Sequence, residues 1–287
     1  MISSRTRVLA IIGDPIGHSI TPRIQNYALQ HIGADILNIA CLVAPSELEA
    51  AIRGARALGL LGLMVTIPHK EAVLRLCDEL DDSARLIGVA NLLHFTPQGK
   101  TIGYSSDGWA AVKSLEEEGT SVKDQRIVIL GGGGSARSLA LTFAAHGAHE
   151  IVLLNRTVER ARTIAEEVEA LNIPARAETL NASTCRRELV QADILVNATS
   201  IGMSPQADES PIEPQALKAA RPGLTVYDIV YNPLETRLLR ETRAAGLKGV
   251  DGLGMLIYTN VFAVEKCAGL KISAATMREE ALRALGA

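Results

Sequence analysis

The chain predicts a two-domain α/β protein, an N-terminal α/β domain followed by a doubly wound parallel sheet. Three observations carry this. Apolar strand patterns alternate with helical ones along most of the 287 residues. At Val128-Ile129-Leu130-Gly131-Gly132-Gly133-Gly134-Ser135-Ala136-Arg137-Ser138 a short strand runs into glycines, and the glycines run into an apolar helix. The length also suits two domains of the usual size, about 100–200 residues each.

Taken in order, residues 8–12 read as a strand and 22–30 as a helix with proline at its first turn, where a missing N–H is no loss. Residues 36–43 form a strand and 45–58 a helix; 63–66 form a short buried strand and 68–76 a helix opening on Pro68. Residues 90–96 and 100–103 read as a hairpin around Pro97-Gln98-Gly99. A helix over 107–118, ended by Gly119, connects the domains. Strands then follow at 126–130, 151–154, 194–198 and 225–229, with helices between, including 136–145 after the glycines. Two helical patterns, 253–268 and 273–285, close the chain. They either cap the second domain or return to the first.

Composition excludes several functions. The apolar fraction is 47%, the charged fraction 21% and the net charge −3, with no Lys/Arg block. Neither nucleic acid nor a membrane is an expected partner. Cys41, Cys77, Cys185 and Cys267 are scattered, as for reduced thiols in a cytoplasmic protein. Residues 8–12 are too short for a secretory core, and no apolar run nears the roughly 20 residues of a membrane span. His146 and His149 lack companion ligands, so no metal is expected.

The glycine-rich turn has the order that a dinucleotide pyrophosphate requires. Glycine allows a turn that a Cβ would block, and the helix N-terminus offers N–H groups to an anion. The plain alternative is a tight strand–helix turn. A second marker decides between them: Asn155-Arg156-Thr157 stands at the end of the next apolar run. An acid there would bind an unmodified ribose; Arg156 suits a 2′-phosphate, with Arg160 one turn on. NADP is expected rather than NAD.

The first half carries the polar clusters. In Gly13-Asp14-Pro15-Ile16-Gly17-His18-Ser19-Ile20-Thr21-Pro22, two hydroxyls precede a helix and suit a carboxylate, although Thr21 alone reads as an ordinary helix cap. In Gly62-Leu63-Met64-Val65-Thr66-Ile67-Pro68-His69-Lys70, a strand delivers Thr66 and then Lys70, a lysine on a first helical turn where the dipole disfavours it. Gly88-Val89-Ala90-Asn91 and Gly103-Tyr104-Ser105-Ser106-Asp107-Gly108 add Asn91 and Asp107, the latter equally a helix cap.

Together with Asn197-Ala198-Thr199-Ser200-Ile201-Gly202-Met203, Tyr227-Asp228-Ile229-Val230-Tyr231-Asn232-Pro233 and Asp251-Gly252-Leu253-Gly254-Met255-Leu256, these segments resemble, in order, the shikimate/quinate dehydrogenase family. The resemblance implies a substrate domain over 1–108, an NADP-binding Rossmann-like domain over 109–252, and helices over 253–287 returning to the first. It implies Lys70 and Asp107 as the catalytic pair, and Ser19, Thr21, Thr66, Asn91, Tyr231 and Thr259 at the substrate. It implies cofactor contacts from Gly131, Gly132, Gly133, Gly134, Ser135, Asn155, Arg156, Thr157, Arg160, Thr199, Ile229 and Gly252. The implied reaction interconverts 3-dehydroshikimate and shikimate, in a monomer or homodimer acting on a small cyclohexene carboxylate. Hydride reaching a ring ketone leaves an alkoxide, and a lysine ammonium can neutralise it.

The chain departs from that pattern at Met64, where Asn is common, at Leu92 and Ser105, where Thr and Asn are usual, and at Thr259, where a substrate-binding Gln is usual. Thr21 in place of a second Ser also resembles members that accept quinate. Quinate or aminoshikimate, with NAD, therefore stands as an alternative within the family. A folate-pathway dehydrogenase also uses a lysine, but the Ser19/Thr21 pair suits a small carboxylate. A non-catalytic NADP sensor would have no use for Lys70 with Asp107.

Overall fold

The computed structural model describes residues 2–286. The chain forms two compact units: one runs to Ser106 and resumes at Ile257, and the other is Asp107–Leu256. The divisions thus fall at 106/107 and 256/257, two and four residues from the sequence-based bounds.

The first unit is built on β1 (Arg7–Gly13), α1 (Thr21–His31), β2 (Ile36–Leu42), α2 (Leu48–Ala57) and β3 (Gly62–Val65). It continues with β4 (Glu79–Leu80), α3 (Asp82–Ile87), β5 (Leu92–Phe95) and β6 (Thr101–Tyr104). The sheet order is β2-β1-β3-β5-β6-β4. β1 runs parallel to β2 and β3, whereas β5 lies antiparallel to both β3 and β6. The predicted hairpin is therefore present, and the sheet is mixed. Alternation sorts the strands: Ala10, Ile12, Leu63, Val65 and Leu93 join Leu48 and Ile52 of α2 in one core cluster. Met64, on the opposite face, meets Gln25 of α1.

The second unit opens with α4 (Asp107–Glu117), β7 (Arg126–Leu130), α5 (Gly134–Ala145), β8 (Glu150–Asn155), α6 (Val158–Glu169) and β9 (Ala175–Thr179). It goes on to α7 (Ala182–Leu189), β10 (Ile194–Asn197), α8 (Pro214–Lys218), β11 (Thr225–Asp228), α9 (Arg237–Ala244) and β12 (Lys248–Val250). Its strands lie in the order β12-β11-β10-β7-β8-β9 and all run parallel. Every residue of β7, β10 and β11 is buried, as strands covered on both faces require. The order reverses between β7 and β10, which is the doubly wound arrangement expected from sequence.

Two helices follow, α10 (Leu253–Ala268) and α11 (Ala274–Leu285). α11 packs on α1, where Arg23 pairs with Glu280 at 2.6 Å. Of the two fates open to the closing helices, return to the first unit is the observed one from Ile257 onward.

Three local readings are corrected. Residues 68–76 hold only a 3-10 helix, Ala72–Leu76. The preceding turn is tied sideways: the Ala90 amide donates to the Lys70 carbonyl at 2.9 Å, and His69 Nε2 meets the Val43 carbonyl at 2.8 Å. Lys70 is thus not on a helical first turn, and the dipole argument for it falls. Thr21 is not a cap; it is the first residue of α1, after Ile20, and Ser19 Oγ accepts from its amide at 3.3 Å. Asp107 likewise begins α4 rather than preceding it.

One charge network ties strands of the second unit together near their N-terminal ends. Glu188, 2% exposed at its side chain, accepts from Arg126, from Arg187 Nε at 2.8 Å and from Arg176 Nη2 at 2.6 Å. Burial opposes the charge, but the hydrogen bonds from Arg126 and Arg187 outweigh it and hold the carboxyl below its ordinary value of 4.5. A depressed carboxyl contributes stability above its unfolded pKa, and that stability is lost as pH falls through the folded one. Glu188→Gln should therefore destabilise the protein by about 2 kcal/mol near neutrality, since it weakens the charge-assisted bonds from Arg126, Arg176 and Arg187, which retain Glu150 and Glu178 as their other partners. Its thermal midpoint should approach that of the wild type as both are taken below pH 4, in scanning calorimetry.

Candidate active site

In the first unit the polar clusters converge on one sheet edge, because β1 and β3 are parallel and end together. The register pairs Ile12 with Val65, so Gly13 and Thr66 leave the sheet side by side. The Thr66 amide donates to the Ile12 carbonyl at 3.0 Å. A Cβ at Gly13 would lie 2.5 Å from Thr66 Cγ2, so only glycine admits this approach. β5 runs the other way, which brings its start to the same edge: Met64 pairs with Leu92, and Leu92 with Tyr104. Asn91 therefore stands beside Thr66, with its carbonyl accepting from Val65 at 2.8 Å.

Asn91 is oriented from behind. Its Oδ1 accepts from the Ser106 amide at 2.8 Å, and its Nδ2 donates to Ser106 Oγ at 3.0 Å. Ser19 and Thr21 open α1 beyond Gly13, Thr21 almost wholly buried. Lys70, partly buried, leaves the same edge four residues after Thr66. Among the sequence-predicted substrate residues, the structure thus gathers Thr66, Lys70 and Asn91, with Ser19 and Thr21 at the start of α1, whose Gln25 meets Met64 of β3. Thr259, also buried, lies on α10, whose Asn260 carbonyl accepts from Gln25 Nε2 at 3.3 Å.

In the second unit the predicted cofactor residues gather at the point where the strand order reverses. Gly131 follows β7 with φ of +125°, and a Cβ there would approach the Ala198 carbonyl to 3.1 Å. At Gly132 a Cβ would meet Asn155 Nδ2 at 2.7 Å. Gly133 and Gly134 are different: a Cβ at either would have nothing within 4 Å. Packing does not call for glycine there, so the open space at the start of α5 is a cradle that a side chain would fill. That is what a pyrophosphate on the helix N–H groups requires.

Beside this turn, Asn155 Nδ2 donates to the Thr157 carbonyl at 2.8 Å and fixes the bend before α6. Arg156 and Arg160 are exposed, and among the described residues neither forms an ion pair. Arg137, by contrast, is held by Glu167 through bonds of 2.7 and 2.8 Å. The residues present therefore fit a dinucleotide carrying an extra phosphate. Thr199 follows β10 and Ile229 follows β11; Gly252 packs against the Ile229 carbonyl, where a Cβ would lie at 2.2 Å. Tyr231 is partly buried, and desolvation raises its hydroxyl pKa. Asp107, 6% exposed, begins α4 in this unit.

Sequence reasoning gave no role to Asn197 or Asp228, which position the loops of the second unit. The available signal was a polar residue closing an otherwise apolar buried strand, as in Ile-Leu-Val-Asn197 and Thr-Val-Tyr-Asp228.

Comparison with known proteins agrees across both units. Residues 11–93 match the shikimate dehydrogenase substrate binding domain, and residues 113–230 match the shikimate/quinate 5-dehydrogenase model. The shikimate dehydrogenase (NADP(+)) of Methanopyrus kandleri is 43% identical over 286 residues, covering 99% of this chain and 98% of its own. A crystal structure of a shikimate dehydrogenase in complex with NADP+ is similar with a TM-score of 0.92 at 38% identity, over 99% of this chain and 98% of that one. A ligand-free 5-ketofructose reductase of a Gluconobacter strain is similar at 0.89 and 33% identity, over 98% of this chain and all of that one. With both halves matched in order and relatives aligned over nearly their full length, the chain belongs to the shikimate dehydrogenase family.

Proposed function

We propose that the protein is an NADP-dependent shikimate dehydrogenase, reducing the ring ketone of 3-dehydroshikimate to the alcohol of shikimate and running the reverse oxidation. The observation that carries this reading is the convergence of Thr66, Lys70 and Asn91 at one end of the first sheet, with the Ser19 and Thr21 hydroxyls at the start of the helix that follows β1. The second unit supplies the matching half, a glycine cradle at the reversal point beside unpaired Arg156.

When bound, NADPH supplies the hydride from nicotinamide C4. The protein's residues do the rest. The hydroxyls of Ser19 and Thr21 hold the ring carboxylate, aided by the N-terminus of α1. Thr66 and Asn91 take ring hydroxyls; Asn91 enters the site already oriented by Ser106. As the carbonyl carbon gains hydride, its oxygen gains negative charge. The Lys70 ammonium stabilises that charge and gives up a proton, leaving an alcohol and a neutral amine. In the oxidation direction the amine takes the proton back. Asp107 is assigned as the second member of the catalytic pair, and Tyr231 and Thr259 as further substrate contacts. Arg156, with Arg160, takes the 2′-phosphate.

Within the family, quinate or aminoshikimate is the second reading. It is favoured by Thr259, a short buried hydroxyl where a longer amide is usual, and by Met64, whose thioether is a weak acceptor. Following absorbance of the reduced nicotinamide with shikimate, quinate and aminoshikimate, each with NADP and NAD, separates the readings. Shikimate with NADP should show the highest kcat/KM; a preference for quinate with NAD would overturn both the substrate and the cofactor assignment.

Lys70→Ala should lower kcat by about 10²–10⁴, the usual contribution of a general acid. NADPH affinity, measured by calorimetry, should stay unchanged. Full turnover in this variant would remove Lys70 from the chemistry. Arg156→Ala should reduce kcat/KM for NADP by roughly tenfold, the worth of one charge-assisted hydrogen bond, while sparing NAD. An equal loss with both nucleotides would mean that Arg156 does not read the 2′-phosphate.

A further inference from the structure

Asp228 is the last residue of β11 and is fully buried. Its Oδ1 accepts from Asn197 Nδ2 at 2.9 Å and from the Val230 amide at 3.1 Å; its Oδ2 accepts from Thr236 Oγ1 at 2.7 Å. Asn197, also fully buried, passes the constraint on. Its Oδ1 accepts from the Thr199 amide at 3.1 Å and from Thr199 Oγ1 at 2.7 Å, while its Nδ2 also donates to the Ile201 carbonyl at 3.2 Å. Thr199 in turn lies against the glycine turn, its Cγ2 3.5 Å from where a Cβ on Gly131 would stand. Thr236 caps α9 by accepting from the Leu239 amide at 3.2 Å, which closes the loop that carries Ile229 and Tyr231.

We infer that Asp228 is a positioning residue for the reaction: its carboxylate fastens the loop after β10, which supports the cofactor turn, to the loop after β11, which carries Tyr231. The inference rests on the dehydrogenase reading of this unit. All three groups aimed at the carboxylate are donors, so a full acceptor is what the arrangement demands.

Holding a charge there is unfavourable in itself. Burial, with the like charge of Asp251 beyond β12, pushes the carboxyl up to about 6 from 3.8, even though the bonds from Thr236, Val230 and Asn197 pull the other way. Those three partners are neutral. A carboxyl raised on folding makes the folded state less stable above its folded pKa, and that penalty is relieved as pH falls from about 6 towards the unfolded value. An anion kept at the expense of stability is the signature of a group retained for function.

The test is Asp228→Asn, read by thermal midpoint and by calorimetric titration with NADPH, with kcat and KM alongside. Near pH 7.5 the variant should be at least as thermostable as the wild type, because the buried charge is gone. Its NADPH dissociation constant should rise about tenfold, and KM for the ring substrate should rise with it, because an amide accepts more weakly and leaves the Thr236 hydroxyl without its acceptor. Near pH 5 the stability difference should have narrowed, as the wild-type carboxyl takes up its own proton on the way to the unfolded value. A variant that melts well below wild type at both pH values would make Asp228 an ordinary structural residue and overturn the inference. So would unchanged NADPH affinity and KM. If the wild type itself fails to bind NADPH, the dehydrogenase reading falls and takes this inference with it; the wild-type arm separates that failure from the others.

Discussion

The parallel pairing of β7 with β10 is the constraint on which the second unit's chemistry depends. A parallel strand hands residues to a site only at its carboxyl end, and neighbouring strands part there only where the winding direction reverses. β7 is the strand at which it reverses. The Ala198 amide donates to the Leu130 carbonyl at 2.9 Å, which brings the two strand ends within reach of each other. Gly131 must then be glycine, for its backbone has a positive φ and the Ala198 carbonyl is too near for a side chain. The same logic governs the first unit, where β1 and β3 end together and Gly13 admits Thr66.

Most of this fold was legible because the buried strands are short continuous apolar runs. Residues 126–130 and 194–197 are buried throughout and announce themselves in sequence. β9 does not: its Ala-Arg-Ala-Glu-Thr is only partly buried at a sheet edge, and its backbone pairing to β8 rather than its side chains makes it a strand. β12 and β4 were silent for the same reason. The segment 68–76 misled in the opposite direction. Its helical spacing is real, but the Lys70 carbonyl is claimed by the Ala90 amide just ahead of β5, and a long-range bond overrides local preference.

The site divides along the same line. Residues proposed to touch ligand cluster in short motifs, since each strand end delivers several at once; Thr66 and Lys70 lie four apart, as do Arg156 and Arg160. Residues that hold those motifs in place are distant in sequence. Asn197 and Asp228 are separated by 31 positions, and His69 and Val43 by 26. No spacing rule links such pairs, because register between strands sets them and register is a property of the folded sheet. Thr21 shows how a local rule fails at a site: the hydroxyl that looks like a cap is buried in the first turn of α1, and Ser19 has taken the position that bonds its amide.

The departures from the family pattern are best understood together. Met64 and Thr259 lie far apart in sequence, yet Gln25 joins their neighbourhoods: its Nε2 is 3.3 Å from Met64 Sδ and 3.3 Å from the carbonyl of Asn260, the residue after Thr259. Its Oε1 accepts from Asn38 at 2.6 Å, and Asn38 is itself pinned by Asn26. A fully buried amide needs acceptors for both N–H bonds, and here one of them is a thioether, a weak one. A substitution at 64 would therefore act on this amide directly. Gln25 thus ties Met64 of β3 to the backbone of α10 beside Thr259, and exchanging Met64 for the usual residue changes the acceptor offered to that amide.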